Sequence, residues 1–175
     1  MKNLYLLLFV SLFFVGCGSD DLEDLTTISN NLTLSETMDV EVPDGVTTFS
    51  AEESFDASQE DEFTRFGSKI DEVIIESIDY TILSVSNNPN DASIVNAQLK
   101  YNGSVIGDIT NLNLAANVGS TKELGVDQSV VNAMAATFKS DGKVTVEAVA
   151  EMSDSPVDFE LKLDFNLIIR GSVVN

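Results

Sequence analysis

The sequence predicts an all-β domain: an antiparallel β-sandwich of about seven or eight strands with one or two short helices, over residues 28–175. From Val157 to Ile169 every second residue is apolar and most of the residues between are polar, as in a strand with one buried face. Similar short runs recur along the chain, and turn sequences such as Asn102-Gly103 separate them.

The first two strands are predicted on either side of the turn Pro43-Asp44-Gly45. Residues 31–42 alternate between polar and apolar side chains, but Glu36 breaks the alternation, which predicts a bulge or a strand break there. The apolar positions of the two strands are Leu32, Leu34, Met38, Val40, Val42, Phe49, Ala51 and Phe55.

Three further features complete the predicted sheets. The apolar phase slips within residues 72–86, which predicts a bulge or burial on both faces of that strand. Asn102-Gly103 predicts a two-residue hairpin. Residues 144–152 and 157–169 alternate on both sides of a Ser-Asp-Ser-Pro turn, which predicts a final hairpin. The cysteine and tryptophan typical of antibody domains are missing, so only an Ig-like architecture is expected.

Two segments change to helical spacing. Phe63, Phe66 and Ile70 lie three and four residues apart, and the helix is predicted to begin at Ser58 and to stop near Gly67. A second helix over residues 128–140 follows the capping residue Asp127 and ends at Asp141-Gly142. The phenylalanines of the first helix are interpreted as core and not as a ligand pocket. Val130, Val131, Met134 and Phe138 form the apolar stripe of the second helix.

The first residues predict a secretory leader over residues 1–16. Lys2 precedes an apolar run from Leu4 to Val15, which is shorter than the ~20 residues of a membrane-spanning helix. A short membrane-anchor helix is the alternative interpretation of the same run.

The end of this run, Val15-Gly16-Cys17, resembles the lipobox of bacterial lipoproteins. The resemblance implies that Cys17 is lipidated and becomes the first residue of the mature protein, anchored in a membrane by its acyl chains. A free thiol in a cleaved leader is the alternative. Cys17 is the sole cysteine of the chain, so an internal disulfide is excluded.

An acidic tether over residues 17–27 follows the lipobox. Its Ser19, Asp20 and Asp21 resemble the export signal of surface lipoproteins of Bacteroidota. This resemblance implies an outer-membrane lipoprotein that faces the cell exterior. A solvated linker is the simpler interpretation, and both can hold at once.

Composition excludes several functions. The chain carries 9 Lys and Arg against 29 Asp and Glu, for a net charge of −20, which disfavours nucleic acid and favours cations or basic partners. It has no histidine, which excludes Ser-His-Asp and Cys-His chemistry and removes the usual zinc ligand. It has no tryptophan for stacking on sugars.

No cofactor is expected, and calcium is the metal for which the sequence offers ligands. The calcium candidates are Asp56, Glu60 and Asp61, in an acidic stretch without the spacing of a known calcium loop. A solvated helix start explains the same residues. With 29 acids, a carboxylate pair suited to glycoside hydrolysis arises by chance, so enzymatic activity is not expected.

The expected function is therefore a lipid-anchored, non-catalytic binding or structural module of the cell surface, accessory to an outer-membrane complex. The alternatives are a domain that binds calcium or an extracellular polymer, and a hydrolase that uses carboxylates.

Overall fold

The computed structural model describes residues 27–172. The predicted leader, Cys17 and the sorting residues Ser19, Asp20 and Asp21 lie outside the described residues. The strands are β1 (Thr27–Val42), β2 (Thr48–Asp56), β3 (Ile70–Ser86), β4 (Ser93–Tyr101), β5 (Ser104–Asn113), β6 (Thr121–Glu123), β7 (Lys143–Met152) and β8 (Val157–Ser172). The α-helices are α1 (Asp61–Thr64) and α2 (Gln128–Asp141).

The strands form two four-stranded antiparallel sheets that pack face to face. The first sheet has the order β1-β8-β3-β6 and the second has the order β2-β7-β4-β5. This confirms the all-β sandwich, and the strand order is that of an eight-stranded jelly roll. The Ig-like architecture is wrong in its topology, because β1 and β2 lie in different sheets here, whereas the first two strands of an Ig domain share one sheet.

Strand β1 runs without interruption along β8. Glu36 lies opposite Leu163, and the register does not shift at any point from Thr27 to Val42. The predicted bulge at Glu36 is therefore wrong. β1 is an edge strand, and Glu36 is only half-buried, so the ladder continues although a charged residue takes an inward position.

Strand β3 contains the predicted irregularities. Its register against β8 shifts between Ile75 and Ser77 and again between Ile82 and Ser84. Each extra residue reverses the parity of the side chains that face the core. The phase slip in the sequence is therefore explained by bulges.

The two strands of the predicted final hairpin are present as β7 and β8, but they do not pair with each other. β7 pairs with β2 and β4, whereas β8 pairs with β1 and β3 in the other sheet. The turn at residues 153–156 therefore crosses between the sheets. The Asn102-Gly103 turn does form a hairpin, with both residues at positive φ and with β4 and β5 paired.

The predicted first helix is broken into short pieces. A 3₁₀ turn at Ala57–Gln59 is capped by Asp56, and α1 covers only Asp61–Thr64 with Glu60 before it, so Ser58 is not the cap. Phe63 and Phe66 are buried, which confirms their interpretation as core.

Helix α2 matches its prediction. The Asp127 carboxylate accepts a hydrogen bond from the backbone N–H of Ser129 at 2.8 Å, and Gly142 ends the helix at φ 71°. Val131, Met134, Ala135 and Phe138 face the core. Within residues 27–172, neither helix is long and apolar enough to span a membrane.

Candidate binding face

The outward face of the first sheet is lined mainly by polar side chains. We call this surface the polar face and define it by the residues that point away from the core on β1, β8 and β3. From the middle of the sheet to its far end these are Thr33, Ser35, Thr37, Asp39 and Glu41 on β1, Asn166, Asp164, Lys162, Glu160 and Asp158 on β8, and Ser77, Asp79, Thr81, Ser84 and Ser86 on β3.

Asn166 connects three strands of the polar face. Its Oδ1 accepts a hydrogen bond from Thr33 at 2.8 Å, and its Nδ2 donates to Ser77 Oγ and to Asp79 Oδ2, each at 2.8 Å. Thr33 is exposed, whereas Ser77 and Asp79 are half-buried. The network fixes the orientation of hydroxyl, amide and carboxylate groups across the sheet.

Asp164 forms an ion pair on the polar face and is largely shielded from solvent. Its Oδ1 lies 2.8 Å from Lys162 Nζ, and its side chain is 14% exposed against 34% for Lys162. Ser35 also donates to Asp164. An ion pair this open to water contributes up to about 1 kcal/mol. Asp79 lies directly opposite Asp164, so the charge of Lys162 offsets part of the repulsion between these two carboxylates.

The far end of the polar face is acidic. Asp39 lies opposite Glu160, and Glu41 lies opposite Asp158, on adjacent strands. Their neighbours on β3 are Ser84 and Ser86, so these two rows contain no lysine or arginine. We call Asp39, Glu41, Asp158 and Glu160 the acidic quartet. Like charges placed directly opposite repel one another, so the quartet costs stability and attracts cations.

The acidic quartet lies far from the start of the described chain. Asp39 follows Thr27 by 12 residues along one uninterrupted strand. At about 3.4 Å per residue, the two ends of this stretch are roughly 40 Å apart. The N-terminal side of β1, where the predicted tether enters, is therefore at the opposite end of the molecule from the quartet.

The calcium candidates are not brought together as a ligand set. Asp56 Oδ1 accepts hydrogen bonds from the Ser58 backbone N–H at 3.0 Å and from the Ser58 hydroxyl, and this hydroxyl is the main reason that the pKa of Asp56 is lowered. Glu60 and Asp61 begin α1. Among residues 27–172, no group of three or more Asp, Glu, Cys or His side chains is arranged to hold a metal ion.

Two cavities lie near the core and offer little polar chemistry. An open cavity of about 460 Å³ lies between α1 and the end of α2, where Asp141 is its single carboxylate and Lys139 its single cation. A cavity of about 20 Å³ between the sheets is lined by mostly apolar side chains, among them Tyr80 and Leu163. Burial raises the pKa of Tyr80.

Two acids do lie side by side on the second sheet. Glu52 on β2 is the cross-strand neighbour of Glu147 on β7, beside Lys100, in a depression of about 190 Å³. Both carboxylates extend from the same face of one sheet. Glycoside hydrolysis needs two carboxyl groups that flank the scissile bond, and this arrangement does not provide it.

Sequence reasoning did not single out the polar face. The alternation of β8 identifies its outward residues, but their neighbours Thr33 and Ser77 lie more than eighty residues away along the chain. No short motif marks such a surface.

No family model matches the chain, and no curated protein matches it. Solved structures to which the chain is similar include one capsid protein and two further virus structures. The decameric BFDV capsid protein is 10% identical, with a TM-score of 0.45, over 82% of this chain and 99% of that chain. Tobacco necrosis virus is 11% identical, with a TM-score of 0.41, over 84% of each chain. Desmodium yellow mottle tymovirus is 9% identical, with a TM-score of 0.37, over 83% of this chain and 85% of that one. Likeness at this level carries no inference about function.

Proposed function

We propose that this protein is a lipid-anchored, non-catalytic module of the bacterial cell surface, which binds a basic segment of an outer-membrane protein through the acidic quartet. The observation that carries the proposal is the placement of Asp39, Glu41, Asp158 and Glu160 in two adjacent rows that contain no lysine or arginine. A partner with lysine or arginine side chains relieves their mutual repulsion on binding.

The proposed localisation is based on the N-terminal sequence. The lipobox ending at Cys17 and the residues Ser19, Asp20 and Asp21 support a lipid anchor in the outer membrane, facing outward. A domain held by a tether before Thr27 then carries the acidic quartet about 40 Å further along β1. Held at that distance, the quartet is accessible to large proteins of the same membrane.

The charge of the chain supports a basic protein partner over nucleic acid, an anionic lipid surface or a bound metal ion. The described chain retains most of the 29 acids, and its field repels nucleic acid and anionic lipid surfaces. The acidic stretch around Asp56 does not converge on a metal site. Binding by the quartet is expected to weaken as salt rises, because exposed charges are screened.

The test is recovery of a partner from detergent-solubilised outer membranes. The wild-type chain is compared with a variant that carries Asp39→Asn, Glu41→Gln, Asp158→Asn and Glu160→Gln, changes that remove charge and keep shape. We expect the wild type to retain a partner at low salt. The amount of partner recovered with the variant should be at least about tenfold lower.

The matched control neutralises acids on the other sheet. Glu52→Gln, Glu147→Gln and Glu151→Gln remove charge from the outward face of the second sheet and leave the quartet intact. The control should retain the partner as the wild type does. Equal loss from both variants, or a wild-type chain that is always recovered alone, would overturn the proposed partner.

The anchor is tested separately by mass spectrometry of the native N-terminal peptide. We expect Cys17 at the new N-terminus with its sulfur linked to acyl chains. An unmodified thiol, or a leader still attached, would contradict the proposed membrane anchor. Either result would leave the proposal for the acidic quartet unaffected, because partner recovery tests it separately.

A further inference from the structure

The bulge at Leu83 places a large apolar side chain on the outward side of the first sheet. Ile82 and Val85 both pair with buried residues of β8, although an odd number of positions separates them. Because side chains alternate along a regular strand, the extra residue leaves both Leu83 and Ser84 on the outward side. Leu83 is 41% exposed, and Ser84 is exposed as well.

Leu83 borders the acidic quartet. Ser84, the next residue, lies opposite Glu160 of β8, and Glu160 lies opposite Asp39 of β1. At a strand spacing of about 4.8 Å, β8 is about 5 Å and β1 about 10 Å from β3. An exposed leucine and two carboxylates of the quartet therefore lie along one row of the sheet.

The side of Leu83 that faces away from the quartet is uncharged. Val118 pairs with Ile82 and is 46% exposed, and the backbone N–H of Gly119 donates to the Ile82 carbonyl at 2.8 Å. Residues 115–121, which continue from this contact, contain no charged side chain. From β1 to β3 the outward surface therefore changes from acidic to apolar and neutral.

The two bulges of β3 expose side chains of opposite character. The bulge at Glu76 exposes a carboxylate, which suits a surface that faces water. The bulge at Leu83 exposes a leucine beside carboxylates instead. Bulges often redirect a side chain next to a binding site, and the exposed leucine is the kind of residue that a partner can cover.

We propose that the basic segment bound by the acidic quartet also carries a large apolar side chain, which packs on Leu83. This inference rests on the proposed function and specifies the composition of the partner. An extended segment that crosses the strands advances about 3.4 Å per residue, so its apolar side chain lies about two or three positions from the lysine or arginine that meets Glu160 and Asp39.

Charge complementarity favours this partner over other occupants. A neutral apolar surface placed on Leu83 would exclude water from the carboxylates of Asp39 and Glu160 without pairing them, which is unfavourable. A second copy of the chain brings the same excess of acids, 29 Asp and Glu against 9 Lys and Arg. A segment with lysine or arginine near an apolar residue both pairs the carboxylates and covers Leu83.

The test uses two synthetic peptides that differ at a single position. Both carry lysines, and a position two residues from a lysine is leucine in one peptide and serine in the other. Isothermal titration calorimetry with the full chain at low salt measures their binding. We expect the wild type to bind the leucine peptide about tenfold more tightly than the serine peptide. Leu83→Ser should reduce this preference to about twofold or less.

Ile28→Ser is the matched control. Ile28 is 42% exposed and lies in β1 at the end away from the quartet, so this variant should keep the preference of the wild type. The preference should also persist as salt rises, because screening weakens exposed charges and does not weaken the burial of apolar surface.

The outcomes distinguish this inference from the proposed function. Equal affinity of the wild type for both peptides would overturn the contact at Leu83 and leave the acidic quartet as a basic-segment site. The same holds if Ile28→Ser reduces the preference as much as Leu83→Ser does. If neutralising the quartet left the affinity for the serine peptide unchanged, or if the wild type bound neither peptide, the proposed function would be contradicted and this inference with it.

Discussion

Phe55 of β2 and Phe165 of β8 are in contact across the two sheets, with ring centroids 4.2 Å apart and planes inclined by 48°. Both rings are fully buried, and Phe138 of α2 lies against Phe165 with centroids 6.4 Å apart. The two sheets and the long helix therefore share one cluster of aromatic rings, near the middle of β1 and β8.

Replacing Phe165 by alanine should be among the most damaging changes in the core. The substitution removes a ring that packs against both other rings, and the expected loss in free energy of unfolding is about 3–5 kcal/mol. Urea unfolding monitored by circular dichroism measures it. Phe49→Ala is the matched control. Phe49 is half-buried and has an edge contact to Phe159 at 5.7 Å, so a clearly smaller loss is expected. Equal losses in free energy of unfolding from Phe165→Ala and Phe49→Ala would contradict the prediction that Phe165 contributes most to the aromatic core.

Gly107 is required by a close backbone approach on the covered side of the sandwich. A Cβ atom there would collide with the carbonyl oxygen of Gly125 and would lie 2.8 Å from Leu124 Cγ. Gly107→Ala should lower the free energy of unfolding by about 1–3 kcal/mol, measured by urea titration. Gly125→Ala is the control, since nothing lies within 4 Å of a Cβ at that position. If Gly125→Ala lowered the free energy of unfolding equally, the loss would come from the backbone conformation at these positions and not from the collision at Gly107.

The capping carboxylate of α2 should contribute to acid sensitivity. Hydrogen bonds from the Ser129 hydroxyl, and then from its backbone N–H, lower the pKa of Asp127. A lowered folded-state pKa means that the stabilisation is present above the unfolded pKa of about 3.9 and is lost as pH falls through the folded value. Thermal melts between pH 6 and pH 2 should show a smaller acid-induced decrease in Asp127→Asn than in the wild type.

The control for this prediction is Asp44→Asn, in the exposed turn between β1 and β2. It should retain the acid dependence of the wild type. An Asp127→Asn variant whose melting temperature falls with acid as steeply as that of the wild type would contradict the role of the cap.

Calcium should not change the stability of the domain. Asp56 is occupied by its two hydrogen bonds to Ser58, and in the part of the chain that the structure covers no three acids converge on one point. Melting temperatures measured with millimolar calcium and with chelator should agree, because a ligand raises stability only where it binds the folded state. A reproducible rise with calcium would restore the metal-binding alternative, and Asp56→Asn would then show whether this stretch is responsible.

Local patterns predicted which residues face the core. The alternation from Val157 to Ile169 places every odd-numbered side chain of this stretch in the core, and the helical spacing of Phe63 and Phe66 does the same. The phase slip in β3 also appears as bulges at Glu76 and Leu83. These features follow from the two-residue period of a strand and the 3.6-residue period of a helix, which short stretches of sequence carry by themselves.

Pairing between strands was not predictable in the same way. β7 and β8 follow each other with a tight turn, but they belong to different sheets, and β6, with three residues, has too short a pattern to be recognised. The sequence predicts an interruption at Glu36 because the local pattern does not show that β1 is an edge strand, where a half-buried carboxylate is tolerated. In each case the deciding contact comes from a distant part of the chain.

The sequence by itself determined the class of the fold, the face of each long strand, the caps of α2 and the strongly acidic character of the chain. Only the tertiary structure decided that the sandwich is a jelly roll, that Asp39, Glu41, Asp158 and Glu160 form two adjacent rows, and that β1 lies at an edge of the first sheet. The physical reason is that side-chain direction depends on local backbone geometry, whereas the neighbours of a strand depend on which distant segments lie about 4.8 Å away in the folded chain.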